Sequence, residues 1–269
     1  MSLKDIGFFP KISIITPSYN QVEYLETTIL SVLDQNYPNL EYIIIDGGST
    51  DGSVEIIKKY SPKITYWISE KDYGQSNAIN KGIAMATGEW IAWQNSDDIF
   101  YPNSFLGLKK ASEKHPSANL LIANMMMIDS KGHNIRNIFY VKPTLGSLLA
   151  EGMVLTNQSA FWRRSIHEKI GFLNENLHYA FDYEWFLRVT SLGNAYHVNS
   201  IWGGWRIHDE AKASLHPKKF KLEFQNVIST YEYSKWLKWL YFLRRMLLLI
   251  FQGKMKYLTR GIVRRIFKY

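Results

Sequence analysis

Over residues 1–100 short apolar runs alternate with amphipathic stretches, and this pattern constrains the fold more than any other feature of the chain. Strands that are apolar throughout and separated by helices belong to β-α-β units around a mostly parallel sheet, because such strands are covered on both faces. Residues 11–16 (KISIIT) read as a buried strand that Pro17 and Asn20 stop. Val22, Leu25, Ile29, Val32 and Leu33 then share one face at helical spacing until Asn36-Tyr37-Pro38. Residues 41–46 (EYIIID) form the second strand, and the turn at 47–52 opens a helix at Asp51 or Ser53. Residues 63–68 predict a third strand, and residues 76–86 a helix stopped by Gly88. Residues 89–94 predict a fourth strand that runs into Asn95-Ser96-Asp97-Asp98. Further strands are predicted over residues 119–141, with Met125, Met126 and Met127 as core, and a helix over residues 179–191.

With 269 residues, 46% of them hydrophobic, the chain has material for one large or two small domains with a core. It has no cysteine, which excludes disulfides, thiolate catalysis and Cys-ligated zinc. Residues 1–10 show no long apolar segment, so neither a cleaved signal nor an N-terminal anchor is expected, and the expected compartment is the cytoplasm. The net charge of +8 conceals an asymmetry. Residues 1–210 hold 18 Lys and Arg against 22 Asp and Glu, whereas residues 211–269 hold 14 against 2. The expected division is a catalytic or binding body at 1–210 and a basic helical tail at 211–269 that meets an anionic surface.

In an open α/β sheet, ligands collect beyond the carboxyl ends of the strands. Polar clusters sit at such ends at 16–20, 46–51 and 95–98. Asp97 and Asp98 repel each other unless a cation lies between them and another anion, a need that Mg²⁺ or Mn²⁺ meets; a solvated turn is the alternative. Asp46, Gly47, Gly48, Ser49 and Thr50 offer close backbone approach and hydroxyl donors, or simply a turn with a helix cap. Neither a G-x-G-x-x-G fingerprint nor a G-x-x-x-x-G-K-[ST] loop occurs, which weakens NAD-dependent and P-loop readings.

Taken in order, TPSYN (16–20), IIIDGGSTDGS (43–53), SEKDYGQSNAINKG (69–82), GEWIAWQNSDD (88–98) and FDYEWFLRV (181–189) resemble the family 2 glycosyltransferases, inverting enzymes of GT-A fold that use nucleotide sugars. The resemblance spans roughly residues 11–210 and implies a Rossmann-like, mostly parallel central sheet flanked by helices, followed by a C-terminal helical extension. It places Thr16, Pro17, Tyr19 and Asn20 at the nucleotide, with Tyr19 available to stack on the base. It adds donor contacts at Asp46, Gly48, Ser49, Asn80, Lys81, Ser96, Asp97 and Arg206. Asp46 matches the first acid of the family's usual IDDGS segment, but Gly47 stands at the second, which leaves the base open. SDD resembles the D-x-D element, with Asp98 as principal metal ligand and Asp97 on the ribose or the metal shell. Asp182 resembles the catalytic base, with Glu184 as rival; alone, it would read as an acid complementing a helix dipole. In the R-x-H segment Arg206 would pair with phosphate and His208 complete the metal shell; by itself His208 reads as a core-edge imidazole.

These positions imply a metal-dependent transferase that moves a sugar from a nucleotide-sugar donor to a hydroxyl of a glycan or lipid-linked acceptor, in cell-surface polysaccharide or lipopolysaccharide synthesis. The alternative is a non-catalytic nucleotide-sugar scaffold. Q-x-x-R-W is absent after Asp182, so one sugar per encounter is expected. Trp162, Tyr179, Trp185, Trp202 and Trp205 stack on sugar faces or belong to the core. In the tail, Trp236, Trp239, Leu240, Met246 and Phe251 interleave with Lys235, Lys238, Arg244 and Arg245, while Arg264, Arg265 and Lys268 extend the charge. Its longest apolar run, residues 246–251, falls far short of the roughly 20 residues that span a bilayer. A helix lying on an anionic membrane at its cytoplasmic face and a helix packed on the body are the two main readings; nucleic acid is not expected.

Overall fold

A computed structural model describes residues 8–208, 216–234 and 236–259. The four expected strands form one parallel block: β1 (Ile12–Ser18), β2 (Leu40–Asp46), β3 (Tyr66–Ser69) and β4 (Trp90–Trp93), in the order β3-β2-β1-β4. Helices α1 (Val22–Leu33), α2 (Ser53–Tyr60) and α3 (Gln75–Met85) make the connections. Ser18 stands opposite Asp46 and Asp46 opposite Ser69, so the strand ends open along one edge. The third strand starts later than its sequence suggests, because Ser61-Pro62-Lys63 winds into a 3₁₀ turn.

Beyond β4 the sheet becomes mixed. β8 (Ala160–Arg163) runs antiparallel to both β4 and β6 (Leu120–Ile128). β6 is parallel to β9 (Ala195–Arg206), and β5 (Ile99–Phe100) pairs with β9. β7 (Asn134–Ile138) pairs with β6, which gives a sheet of nine strands among the described residues. Helices α4 (Ser104–Lys114), α5 (Leu145–Glu151), α6 (His167–Ile170) and α7 (Phe181–Ser191) complete the body.

Trp90, Trp93, Trp162, Trp185 and Trp202 are at most 1% exposed. Trp162, Trp185 and Trp202 are therefore core and not platforms for a sugar; of the aromatics considered for that role, Trp205 is 37% exposed and Tyr179 half-buried. Trp93 lies 6.4 Å from Phe181 and 5.9 Å from Phe186 between ring centroids, which fastens α7 to the end of β4.

Two half-buried histidines should make the fold acid-sensitive. Trp162 Nε1 donates to His167 Nε2 at 2.9 Å, so His167 carries its proton on Nδ1, which faces the Gly171 carbonyl. A second proton would set N–H against N–H. Burial, with lesser repulsion from Arg188 and Arg164, pushes His167 down to about 4, and burial with the Lys254 charge does the same to His197. An unfolded histidine titrates near 6.5, so between these values only the unfolded chain takes up the proton. Stability is intact above about pH 6.5 and falls as the pH drops toward 4, each histidine withdrawing up to about 3 kcal/mol. Urea midpoints should therefore drop between about pH 7 and pH 4.5, and replacing His167 and His197 should flatten that slope; an equal slope in the double variant contradicts this account.

The C-terminal helices dock on the body. α8 (Pro217–Ser229) stacks Phe224 on Tyr183 at 4.2 Å. α9 (Leu237–Phe251) pairs Arg245 with Glu151 at 2.6 Å and buries Leu249 beside Val141 and Leu258. The expected boundary after Glu210, and Lys235, Arg264, Arg265 and Lys268, lie outside the described residues.

Candidate active site

The edge between β2, β1 and β4 is built from loops that hydrogen-bond to one another. Asn20, at φ 49°, donates its backbone N–H to Ser49 Oγ at 2.8 Å and accepts from Thr50 N at 2.9 Å, locking the 16–20 loop to the 46–51 loop. Asp46 is fully buried. It accepts from Gly48 N, Ser49 N and Ser69 Oγ at 3.1, 2.9 and 2.7 Å and also from Ser49 Oγ, so its carboxylate folds the turn instead of facing a ligand. Thr16 is buried against the Tyr42 hydroxyl, and Pro17 is buried within β1. Tyr19 projects from this scaffold at 61% exposure.

After β4, Thr28 of α1 donates its hydroxyl to the carbonyls of Ser96 and Asp98, at 2.9 and 2.7 Å, and fixes the Asn95–Asp98 turn. Asp98 is 1% exposed. Its Oδ2 accepts from Gln158 Nε2 at 2.8 Å and Asn95 Nδ2 at 3.0 Å, and its Oδ1 from Arg206 N at 2.9 Å. Burial, and then the charge of Asp97, push Asp98 well above the ordinary carboxylate range against these donors. Asp97 is more accessible, and its Oδ2 lies 3.0 Å from His208 Nε2. Tyr24 braces this corner from α1, with its ring 4.8 Å from His208 and 4.9 Å from the Arg206 guanidinium.

Gln158 has no motif to announce it, and β9 explains how it arrives. A Cβ on Gly203 would fall 1.9 Å from the Gln158 carbonyl oxygen, so only glycine lets the two backbones touch. That approach sets the Gln158 amide on Asp98. Arg206 behaves differently from the phosphate partner expected of it. It is 3% exposed, with Nε on the Asp97 carbonyl at 2.7 Å and Nη1 on the Asp129 and Ser130 carbonyls at 3.2 and 2.9 Å, so it orders the 97–98 loop. Asn80 and Lys81 are also engaged elsewhere. Asn80 bonds to the Leu173 backbone and to Glu175, and Lys81 pairs with Glu70 at 2.6 Å, which ties α3 to the loops around it.

Asp182 sits in the first turn of α7, beside Phe181, and the Phe181–Trp93 contact brings this turn to the strand end that carries Asp97 and Asp98. Its Oδ1 accepts from Tyr183 N at 2.7 Å. The rival, Glu184, is held by Arg188 through two bonds of 2.6 and 2.7 Å. The start of α7 is capped from the tail: Glu223 of α8 accepts from His178 N, Tyr179 N and Ala180 N. Sequence reasoning missed Glu223, because a single acid in a basic segment gives no hint of the helix it caps.

The glycosyl transferase family 2 model matches residues 13–195, which is more than half of the chain. The chain belongs to that family. As a family 2 glycosyltransferase it is 29% identical over 222 residues to an uncharacterised glycosyltransferase of Rickettsia typhi, spanning 77% of this chain and 67% of the relative. A Mycobacterium tuberculosis glycosyltransferase is 32% identical over 184 residues, 67% of this chain and 69% of that protein. Escherichia coli chondroitin synthase is 28% identical over 204 residues, 75% of this chain but 29% of the much longer synthase. Among solved structures, S. aureus TarS with UDP-GlcNAc superposes at TM-score 0.65 and 18% identity, covering 85% of this chain and 69% of that one. The mannosyltransferase PcManGT from Pyrobaculum calidifontis, with GDP-Man and Mn²⁺, superposes at 0.63 and 15% identity, covering 85% and 66%. At such identities the likeness shows the fold, and this glycosyltransferase has the GT-A α/β architecture that the resemblance implied. Among the described residues no three His, Asp or Glu side chains converge as a ready metal cage.

Proposed function

We propose that this glycosyltransferase is an inverting, metal-assisted enzyme that moves a sugar from a nucleotide-sugar donor to a hydroxyl of a glycan or lipid-linked acceptor. One observation carries the reading: the Asp97–His208 pair lies on the segment that follows β4, and the helix turn bearing Asp182 packs through Phe181 on Trp93 at the end of that strand. The donor set suits Mg²⁺ or Mn²⁺. Asp97 and His208 would hold such an ion, which fills its remaining positions with phosphate oxygens and water. When bound, the ion supplies neutralisation of the charge that develops on the departing diphosphate. Asp98 supports that corner through Gln158, Asn95 and Arg206 N.

Asp182 removes the proton of the acceptor hydroxyl as its oxygen bonds to the anomeric carbon, and the bond from that carbon to the diphosphate oxygen breaks on the opposite face. Tyr19 offers its exposed ring to the base, and the locked 16–20 and 46–51 loops hold the nucleoside in line. The TarS and PcManGT complexes, with UDP-GlcNAc and GDP-Man, support a nucleotide sugar as donor. The test is the phosphorus-containing product released from such a donor.

The proposal extends to the tail, as the segment that would hold the enzyme on the cytoplasmic face of an anionic membrane. No helix among the described residues is long and apolar enough to cross one. While one face of α9 packs on the body, Trp236, Leu240, Leu243, Leu247 and Phe251 recur at helical spacing on the other and are 54–86% exposed, in a segment rich in Lys and Arg. The protein should float with phosphatidylglycerol vesicles and remain behind with phosphatidylcholine, and Leu243→Asp with Leu247→Asp should abolish flotation. Equal capture by both vesicle types contradicts the charge argument.

A further inference from the structure

Gly47 stands where the resemblance places an acid, and another acid fills the space that its missing side chain leaves. A Cβ built on Gly47 falls 2.6 Å from Asp72 Oδ2 and 3.1 Å from Asp72 Cγ, so the Asp72 carboxylate lies where a side chain at position 47 would begin. Asp72 arrives from the loop between β3 and α3, held by its own Oδ1, which accepts from Gly74 N at 2.8 Å. Oδ2 has no hydrogen-bond partner among the described residues. Gly47 N donates to Ser18 O at 2.8 Å, and the next residue after Ser18 is the exposed Tyr19. The segment that carries Tyr19 and an unengaged carboxylate oxygen thus reach the same glycine from two loops.

A carboxylate repels a diphosphate, so on a loop that carries neither the Asp97–His208 pair nor Asp182 its use in a nucleotide site is toward a hydrogen-bond donor. Uracil, thymine and guanine present a ring N–H on their pairing edge, whereas adenine and cytosine present a ring nitrogen that only accepts. We propose that Asp72 recognises the donor's base, accepting the ring N–H through Oδ2 while Tyr19 stacks on its face, and so selects uracil, thymine or guanine nucleotides over adenine and cytosine ones. The assignment rests on the nucleotide-sugar reading above and adds the residue that reads the base. It also explains Gly47, since any larger residue would push the carboxylate aside.

The test is calorimetric titration of the full chain with UDP, dTDP, GDP, ADP and CDP in the presence of Mn²⁺. At least one ring-N–H nucleotide should bind about tenfold or more tighter than ADP and CDP, the worth of a hydrogen bond to a charged group. Asp72→Asn should remove that preference while leaving ADP and CDP within about twofold. Gly47→Ala, with Asp72 intact, should reproduce the loss by displacing the carboxylate. Asp72→Ala combined with Gly47→Asp should regain the preference, because the new carboxylate occupies the vacated space; melting temperatures confirm that each variant is folded. An equal loss for all five nucleotides would assign Asp72 to the ribose and overturn the proposal, as would an unchanged preference in both Asp72→Asn and Gly47→Ala. If the unaltered protein binds none of the five, the nucleotide-sugar reading itself fails, and this assignment with it.

Discussion

Replacing Asp182 by Asn should lower the rate of sugar transfer by about 10²–10⁴-fold while leaving donor affinity within about twofold. The asparagine keeps the shape and the bond from Tyr183 N but cannot take a proton from the acceptor. The contrast with Glu184 makes the prediction specific. Glu184 lies two residues on in the same helix, but Arg188 engages both of its oxygens. Glu184→Gln should therefore cost about 1 kcal/mol of stability through the weakened pair and leave turnover nearly unchanged. A steady-state comparison of the two variants decides between them: if Glu184→Gln loses the rate and Asp182→Asn retains it, the base has been misassigned.

Chelation should have a comparable effect. Removing divalent ions with EDTA should lower transfer by about a hundredfold or more, restored by Mn²⁺ or Mg²⁺, because neutralising the leaving diphosphate is worth several kcal/mol. Asp97→Asn should behave like chelation without unfolding the protein, since the Asp97 carboxylate bonds only to His208 among the described residues, and the Arg206 bond to the Asp97 carbonyl is kept. Asp98 is a poorer probe. Its carboxylate holds Gln158, Asn95 and the backbone of Arg206, so Asp98→Asn mixes damage to the loop with damage to the chemistry. Full activity of Asp97→Asn in chelator would remove the metal from the mechanism.

The first four strands were legible because buried parallel strands are apolar along their whole length, and the polar residues beyond them mark one edge of the sheet. That is why Tyr19, Asp46 and Asp97 were found together. What each acid does was less legible. Asp46 is consumed by its own turn and Arg206 by carbonyls of neighbouring loops, and no spacing rule separates a carboxylate that folds a loop from one that meets a ligand. β9 gave no strand signal, because Asn199, Ser200, Gly203 and Gly204 break its alternation and its register with β6 shifts at Asn124. Gln158 and Glu223 act across long sequence separations, on Asp98 and on the cap of α7, and the sequence around them carries no trace of the partner. The second tail helix packs one face on the body and leaves apolar residues exposed on the other, a division that composition alone does not reveal.

The most direct measurement is the phosphorus product formed when the unaltered protein is incubated with UDP-, GDP- and dTDP-sugars and Mn²⁺, with water as the surrogate acceptor. The account predicts slow release of the nucleoside diphosphate from at least one donor, and none from Asp182→Asn. Donors that bind yet stay intact throughout, or that break into nucleoside monophosphate and sugar phosphate, would contradict it.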